Sequence, residues 1–286
     1  MNTRQLIPLA IVCSLLSMSA AVPAQSEHIK QQTIERSFPV NPGSRVVIDS
    51  VNGSIRVLGY SGKEVRVVVH EKMQGRSASD LQQAVEEIVL EIDADDNEVG
   101  FYVRTPGQNC ASQCSRSRNR HYSFSHNFEL QVPYGVVLEL RTVNDGDIRV
   151  DDVRSVVELE NVNGKIAALG ILGINNVRTV NGEIVLGFLE MPRDGGSVVT
   201  VNGDVELVFP STPNVHVSMK TFNGGLFSEF AYKRRDNTSH IESKRSDGTY
   251  VYTSSGGTEI SIGKGGPHWF LETLNGDIYI RKDDRS

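Results

Sequence analysis

Apolar and polar residues alternate along most of the chain, in short runs separated by Asn-Gly pairs. A period of two is that of β-strands, whose successive side chains point to opposite faces of a sheet. Before one such pair the apolar residues are Val136, Leu138 and Leu140, all of one parity. After another pair they resume one place out of phase, as at Ile184 and Leu186. Because Asn and Gly both tolerate positive φ, each pair predicts a sharp corner between two strands.

A motif of the form Thr-x-Asn-Gly-x-Ile recurs, and much of the chain repeats it about every twenty residues, a period typical of repeat folds. Strands without intervening helices at this period predict stacked coils. The sequence therefore predicts an all-β fold, a single parallel β-solenoid with Asn-Gly corners. The asparagines of the motif are Asn52, Asn144, Asn163, Asn181, Asn202, Asn223 and Asn275.

These asparagines have the parity of the apolar residues that precede them, so their side chains are expected to point into the coil. An inward amide without a partner would cost about 1–3 kcal/mol of stability. Stacking at the strand spacing lets each amide bond to the amides above and below it. We therefore predict a structural Asn ladder, with a parallel ladder of the Thr residues two places earlier. The alternative is that the asparagines bind a ligand, but Asn-Gly corners are usually structural.

Two segments interrupt the repeat, one between Asn52 and Asn144 and one at 231–257, and they set the predicted domain organisation. Leu81, Val85 and Ile88 are spaced as on one face of a short helix. We predict that residues 25–286 form one domain. Residues 25–133 would hold N-terminal strands, this helix and a cysteine loop, and residues 134–286 the regular coils, with an insertion at 231–257.

Residues 1–24 have the features of a secretory signal peptide. Arg4 precedes an apolar stretch at 6–18, and Val22 and Ala24 are small residues placed for cleavage before Gln25. The residues after Cys13 stay apolar, which disfavours attachment of a lipid there. The mature chain is thus expected in the periplasm, secreted, or at the cell surface.

The formal net charge of −6 at pH 7 argues against a general nucleic-acid binder, which needs a basic footprint. Two short clusters are nevertheless basic and could contact an anionic glycan or a lipid headgroup. The alternative is that they are solvated loops. The clusters are Arg116, Arg118 and Arg120, and Lys233, Arg234 and Arg235.

Cys110 and Cys114 are the cysteines left after the signal peptide, and an even count in an oxidising compartment favours a disulfide between them. His121 and His126 would complete a possible zinc set. Neighbouring arginines disfavour a cation there, and the spacing of the two histidines places them on opposite faces of a strand. No metal and no cofactor are therefore expected.

No complete nucleophile, metal or nucleotide motif is present in the sequence. The outward carboxylates of Glu183 and Asp204 would stack about 5 Å apart in neighbouring coils, and paired carboxylates can serve glycan hydrolysis. A solvated edge of mixed charge accounts for them as well, and the aromatic candidates Phe227 and Tyr279 are far apart in sequence. We predict a non-enzymatic binding or scaffold module without catalytic residues; the alternative is a carbohydrate-active enzyme, a glycan lyase or hydrolase.

The order of these elements resembles the bacterial "putative adhesin", or toast-rack, β-solenoid family. The resemblance covers residues 40–280 and is carried by residues 51–55, the short helix, residues 132–135 and the run of Thr-x-Asn-Gly-x-Ile coils. It implies an exported, single-domain, adhesin-like parallel β-solenoid, and it brings no catalytic residues. Residues 106–122 and the basic insertion after Phe230 depart from the family pattern.

Overall fold

The structure is a computed structural model that describes residues 28–95, 97–106, 121–235, 241–244, 250–253 and 258–283. Within these residues it has 23 strands and one helix, so the all-β class with one short helix is confirmed. The first elements are β1 (His28–Pro39), β2 (Arg45–Asp49), β3 (Ile55–Tyr60), β4 (Glu64–Gly75), α1 (Ala78–Glu87), β5 (Val89–Ala94), β6 (Glu98–Arg104), β7 (Tyr122–Pro133), β8 (Val137–Arg141), β9 (Ile148–Asp151), β10 (Val156–Glu160) and β11 (Ile166–Ile171). The others are β12 (Gly173–Arg178), β13 (Ile184–Phe188), β14 (Gly196–Val199), β15 (Val205–Phe209), β16 (Val215–Asn223), β17 (Leu226–Ser228), β18 (Tyr232–Arg234), β19 (Ile241–Lys244), β20 (Tyr250–Thr253), β21 (Thr258–Ile262), β22 (His268–Asn275) and β23 (Ile278–Lys282).

The strands form two sheets that pack face to face. The larger sheet has 12 strands in the order β1-β4-β7-β3-β9-β11-β13-β15-β23-β17-β20-β19. The smaller sheet has 11 strands in the order β18-β21-β16-β22-β14-β12-β10-β8-β2-β6-β5. Between them Trp269 of the smaller sheet meets Phe188 and Phe209 of the larger one, with ring centroids 5.3 and 6.0 Å apart. The alternating apolar residues of both sheets thus share one core.

Parallel pairing holds the middle of both sheets together. Each coil runs along a strand of the smaller sheet, turns at an Asn-Gly corner, and returns along a strand of the larger sheet. Neighbouring coils pair in register, as Ile166 with Ile184 and Ile184 with Val205. We call these coils the central stack; side by side they are β2–β3, β8–β9, β10–β11, β12–β13, β14–β15, β22–β23 and β16–β17.

The order of the stack departs from chain order at one place. The last coil of the chain, β22–β23, lies between β14–β15 and β16–β17. Strand β22 therefore pairs with β14 and β16, and β23 pairs with β15 and β17, although β15 and β16 follow each other directly in the chain. The spacing of the motifs along the chain does not reveal this insertion.

The ends of the stack correct the prediction of a purely parallel solenoid, because both sheets are mixed. At one end β1 pairs antiparallel with β4, β4 with β7, and β5 with β6. At the other end β16 pairs antiparallel with β21, β18 with β21, β17 with β20, and β19 with β20. The strands outside the central stack lack the corner motif, and antiparallel neighbours need no long crossover. Strands β18, β19 and β20 belong to the insertion predicted at 231–257.

The single described helix packs against β4 and β7 at the first end. It begins after Ser77, whose hydroxyl accepts the backbone N–H of Asp80 at 3.1 Å, the usual N-cap arrangement. Ala84 and Ile88 are buried in the core. No helix among the described ranges has the length and apolar character needed to cross a membrane.

Candidate functional site: the corner of the stack and the outer sheet faces

The seven asparagines of the motif form one hydrogen-bonded row along the corner of the central stack. Asn52 donates to the backbone oxygen of Phe124 at 3.2 Å, and the side-chain N–H of each of the other six donates to the side-chain oxygen of an asparagine in the adjacent coil. The bonds run from Asn144 to Asn52 (3.3 Å), Asn163 to Asn144 (2.8 Å), Asn181 to Asn163 (2.7 Å), Asn202 to Asn181 (2.7 Å), Asn275 to Asn202 (2.7 Å) and Asn223 to Asn275 (2.7 Å).

The row lies on the outside of the coil, so the predicted inward direction of these side chains is wrong. Asn202 is exposed, whereas Thr200, two places earlier, is 2% exposed. The strand ends at the Thr position, and the period of two does not continue through the turn. The predicted Thr ladder is also absent at this position, because the Thr200 hydroxyl donates to the carbonyl oxygen of Gly182 in the next coil, at 3.0 Å.

Close approach of the coils, rather than positive φ, accounts for glycine at most corners. Gly182 has no positive φ. A Cβ atom added to it would lie 2.0 Å from the backbone oxygen of Gly164 in the adjacent coil. The sequence predicts glycine at the corner because of the turn geometry. The structure shows a second reason, since the backbone of the neighbouring coil leaves no room for a side chain.

The carboxylates after the corner also serve the stack. Oδ1 of Asp147 accepts the backbone N–H of Lys165 at 2.8 Å, and Oδ1 of Asp204 accepts that of Asp277 at 2.8 Å. The carboxylate of Glu183 pairs with the Lys165 ammonium at 3.2 Å. Glu183 and Asp204 therefore have structural partners, which accounts for them without catalysis.

The outer face of the smaller sheet is covered by charges that neutralise one another between strands. Arg141 lies 2.9 Å from Glu139 and 3.4 Å from Glu160. Glu160 also pairs with Arg178 at 2.8 Å. Screened surface pairs of this kind add little stability, but they leave this face with satisfied charges.

The outer face of the larger sheet is apolar in its middle. Ala167 and Leu169 on β11, Val185 on β13 and Val208 on β15 are half-buried and lie in adjacent rows, with Gly187 between Leu169 and Val208. We call these four apolar side chains the apolar shelf. The two outer faces thus differ in chemistry, although they belong to the same coils.

Beside the shelf, an open groove of about 740 Å³ crosses strands β4, β7, β3 and β9. Its charged lining consists of Arg36, Arg56, Arg66 and Arg149 together with Glu35, Glu129 and Asp151, and we call it the arginine groove. Leu58, 48% exposed, lies in the same lining. The backbone register places Arg149 next to Ala167, so the groove adjoins the apolar shelf.

Three guanidinium groups of the groove, those of Arg149, Arg66 and Arg56, differ in their partners. Arg149 makes two hydrogen bonds to Asp151, at 2.7 and 3.0 Å. Arg66 lies 3.9 Å from Glu64. Arg56 is exposed and has no hydrogen-bond or ion-pair partner among the described residues. Sequence reasoning missed all three, because they come from strands far apart in the chain.

The aromatic candidates named from the sequence meet at the far end of the larger sheet. The rings of Phe227 and Tyr279 stack with centroids 4.9 Å apart, and the Arg281 guanidinium lies 4.8 Å from the Tyr279 centroid. Burial and the hydrogen bond from Tyr279 to Asp277 raise the pKa of Tyr279 to about 12. Because the Tyr279 ring contacts both Phe227 and Arg281, this cluster is largely engaged with itself.

Glu206, next to that cluster, is the carboxylate with a raised pKa on this face. Burial is the main cause, the Arg281 guanidinium at 3.5 Å opposes it, and nearby carboxylates including Glu183 and Glu229 add to it. A carboxyl that holds its proton longer than usual is a property of general acids.

A second titratable group is buried in the core below α1. His126 is fully buried, and its Nε2 lies 3.0 Å from Oε2 of Glu71. Burial lowers the pKa of His126, and the hydrogen bond with Glu71 opposes this shift. Lys30 lies 3.8 Å from the other oxygen of Glu71. Glu71 could have been found from the sequence, because it has the buried parity of β4.

The remaining predicted site residues divide between described and undescribed positions. Cys110, Cys114, Arg116, Arg118 and Arg120 lie outside the described residues, as does the signal peptide. His121 is exposed while His126 is in the core, and no group of three or more metal-ligating side chains occurs in the described ranges. Lys233, Arg234 and Arg235 lie on or next to edge strand β18, at the opposite end of the stack from the arginine groove.

No protein-family model matches the chain, and no curated protein matches it. Among solved structures, it is similar to a "putative cell adhesion protein" from Clostridium sporogenes, at 13% identity and a TM-score of 0.37 over 88% of this chain and 100% of that one. A "putative adhesin" from Bacteroides fragilis is 9% identical, with a TM-score of 0.26 over 88% and 97%. A "putative lipid binding protein" from Parabacteroides distasonis is 11% identical, with a TM-score of 0.33 over 89% and 97%. At these TM-scores the likeness carries no argument about what this chain binds; two of the three names contain "cell adhesion" or "adhesin", as does the name of the family that the sequence resembles.

Proposed function

We propose that residues 25–286 form a single exported, adhesin-like binding module without enzymatic activity. Its partner is an anionic glycan of the envelope or the extracellular space, and the glycan binds over the outer face of the larger sheet. Residues 1–24 direct export and are removed before Gln25. Intact-mass measurement of protein from a periplasmic or culture fraction tests the export step, because a mass that retains residues 1–24 contradicts it.

The observation that carries the proposal is the unpartnered guanidinium of Arg56. An arginine offers a planar fork of donors that matches a carboxylate or sulfate group with two hydrogen bonds. Arg66, with one partner at 3.9 Å, adds positive charge to the same groove. On the smaller sheet the outer arginines are ion-paired: Arg45 with Glu139, Arg104 with Glu91, Arg141 with Glu139 and Arg178 with Glu160.

The apolar shelf supports an extended partner rather than a small anion. The surface from β4 to β15 crosses six strand spacings, or roughly 29 Å at about 4.8 Å each. Half-buried side chains such as Leu169 and Val185 can pack against the apolar faces of sugar rings. A polymer that places its acidic groups at Arg56 and its rings on the shelf would use both features.

Titration calorimetry with the mature protein and polygalacturonate, a carboxylated polysaccharide, tests this proposal, with dextran as the neutral control. We expect binding to polygalacturonate that weakens with salt, and about tenfold weaker binding for Arg56→Gln, since it removes a charge-assisted pair. Arg104→Gln on the smaller sheet, where Arg104 pairs with Glu91 at 2.8 Å, is the matched control and should bind like the wild type. Equal loss in both variants, or binding to dextran as well, would contradict the proposal. Preferential binding to phosphatidylglycerol vesicles would identify a lipid headgroup instead.

The second candidate is a carbohydrate-active enzyme, and the raised pKa of Glu206 is the observation in its favour. The ion pair with Arg281 and the structural bonds of Asp204 weigh against it. Incubation of the protein with polygalacturonate, followed by assays for new reducing ends and for unsaturated products, decides between the two. Cleavage by the wild type that is lost in Glu206→Gln would overturn the non-enzymatic proposal.

A further inference from the structure

An exposed apolar row runs along the corner of the central stack, beside the asparagines. It consists of the residue immediately before the Asn in each motif. Phe222 is 73% exposed, Leu274 47% and Val180 39%. We call this row the corner ridge; in stack order it contains Val51, Val143, Val162, Val180, Val201, Leu274 and Phe222.

The fold itself does not require apolar side chains at these positions. The backbone there carries the contacts between coils, as in the bond from the Asn202 N–H to the Val180 carbonyl at 2.8 Å. Single exposed apolar residues are common, but a contiguous row marks an interaction surface. At about 4.8 Å per coil the ridge is roughly 29 Å long. Its residues occupy the same motif position in every coil.

The charges on the two sides of the ridge have a regular relation. In three successive corners the last residue before the motif and the residue after its Gly have opposite signs. These pairs are Arg141 with Asp147, Glu160 with Lys165, and Arg178 with Glu183. Each pair straddles one apolar residue of the ridge, and its members also pair along the stack within the chain, Glu160 with Arg178 at 2.8 Å and Lys165 with Glu183 at 3.2 Å.

We propose that the corner ridge is the contact surface of a homodimer, in which two stacks lie parallel about a two-fold axis along the stack. A second copy is the partner whose apolar residues repeat at the same spacing over the same length. The two-fold rotation exchanges the two sides of the ridge, so Arg178 faces Glu183 of the partner subunit. The same rotation brings Arg141 to Asp147 of the partner subunit. Closed two-fold pairs are the commonest oligomers, and complementary charges fix their register.

The charges also favour the parallel arrangement of the two stacks over the antiparallel one, because fewer like charges face each other in it. With full overlap, turning the second stack end for end would set Glu183 against Glu183 of the partner subunit and Arg178 against Arg178 of the partner subunit. It would also set Asp147 against Asp277 of the partner subunit. Opposite charges would meet at Arg141 with Glu272 of the partner subunit and at Lys165 with Asp204 of the partner subunit, so the reversed stack gains favourable contacts but has more like-charged ones than the parallel stack. In the parallel arrangement one corner, with Glu272 and Asp277 on its two sides, brings like charges together, against three corners with opposite charges. The dimer does not depend on glycan binding, because the ridge and the arginine groove lie on different surfaces.

Sedimentation equilibrium of the mature protein over a wide concentration range tests the dimer. We expect reversible dimerisation, and Val180→Asp should raise the dissociation constant at least about tenfold, as removal of a central apolar contact does. Leu189→Asp is the matched control, since Leu189 is 44% exposed but lies away from the Asn-Gly corner. A wild type that stays monomeric at about 1 mM, or equal loss in the control, would overturn the proposal.

Charge reversal tests the parallel arrangement. Arg178→Glu should weaken the dimer at least about tenfold, because it faces a glutamate across the axis. The double variant Arg178→Glu, Glu183→Arg should restore wild-type affinity. Failure of the double variant to recover affinity, with both proteins melting like the wild type, would reject this arrangement.

Discussion

Replacing Gly182 with alanine should be among the most damaging small changes in the protein. The added Cβ atom would lie 2.0 Å from the Gly164 carbonyl oxygen, and ordinary contact begins at 3.4 Å. The contact is with backbone, so no side chain can rotate away from it. The two coils must therefore separate at this corner by more than about 1 Å.

That separation stretches three hydrogen bonds between the coils beyond useful length. They run from the Thr179 hydroxyl to the Gly164 oxygen at 3.1 Å, from the Asn181 amide to Asn163 at 2.7 Å, and from the Gly164 N–H to the Asn181 oxygen at 2.9 Å. At about 1 kcal/mol of net stability for each bond, the loss is about 3 kcal/mol.

Gly43→Ala is the matched control. Gly43 has a φ of +85° and no atom within 4 Å of an added Cβ, so its variant meets backbone strain alone. A left-handed conformation costs a residue with a side chain about 1–2 kcal/mol. Urea unfolding followed by the fluorescence of the single tryptophan, Trp269, measures both variants. A free-energy loss in Gly182→Ala no larger than in Gly43→Ala would refute the reasoning from close approach.

Three further predictions concern other parts of the chain. Thr200→Val should cost about 1 kcal/mol because it removes the hydroxyl that donates to the half-buried Gly182 carbonyl, and Asn202→Ala should cost about 2 kcal/mol because it removes two bonds of the asparagine row; the same urea assay compares them. The stability of the wild type should fall as pH falls below 6.5, the ordinary pKa of histidine: the folded pKa of His126 is lowered, so the unfolded chain binds the proton more readily. Thermal melts at several pH values should show a smaller fall in His126→Gln, and an unchanged fall would exclude His126 as its source. Cys110 and Cys114 should be disulfide-bonded, so thiol labelling without reductant should find neither free; labelled thiols would contradict the bond.

The alternation of apolar residues sufficed to predict which strand positions are buried. Leu138 and Leu140, for example, are fully buried as their parity indicates. Parity failed at Asn202, because a period of two describes side chains only while the backbone stays extended. The alternation could not predict that β22–β23 lies between β14–β15 and β16–β17, since every corner carries nearly the same motif.

The arginine groove was beyond sequence reasoning for a different reason. Arg56, Arg66 and Arg149 lie on β3, β4 and β9, and they meet only through pairings with β7 and with each other. Two of these pairings are parallel and one is antiparallel, and the antiparallel end of the sheet was not predicted. Contacts between distant strands follow from register, which no local pattern in this chain specifies.

The position of the last coil has a consequence for how the chain folds. Asn275 bonds to Asn202, 73 residues earlier, and the same coil separates β14–β15 from β16–β17. A chain that folds from its first residue onward therefore reaches β16 without the neighbour that β16 needs. The stack can close only after the C-terminal residues arrive, and such late, non-local pairing slows folding.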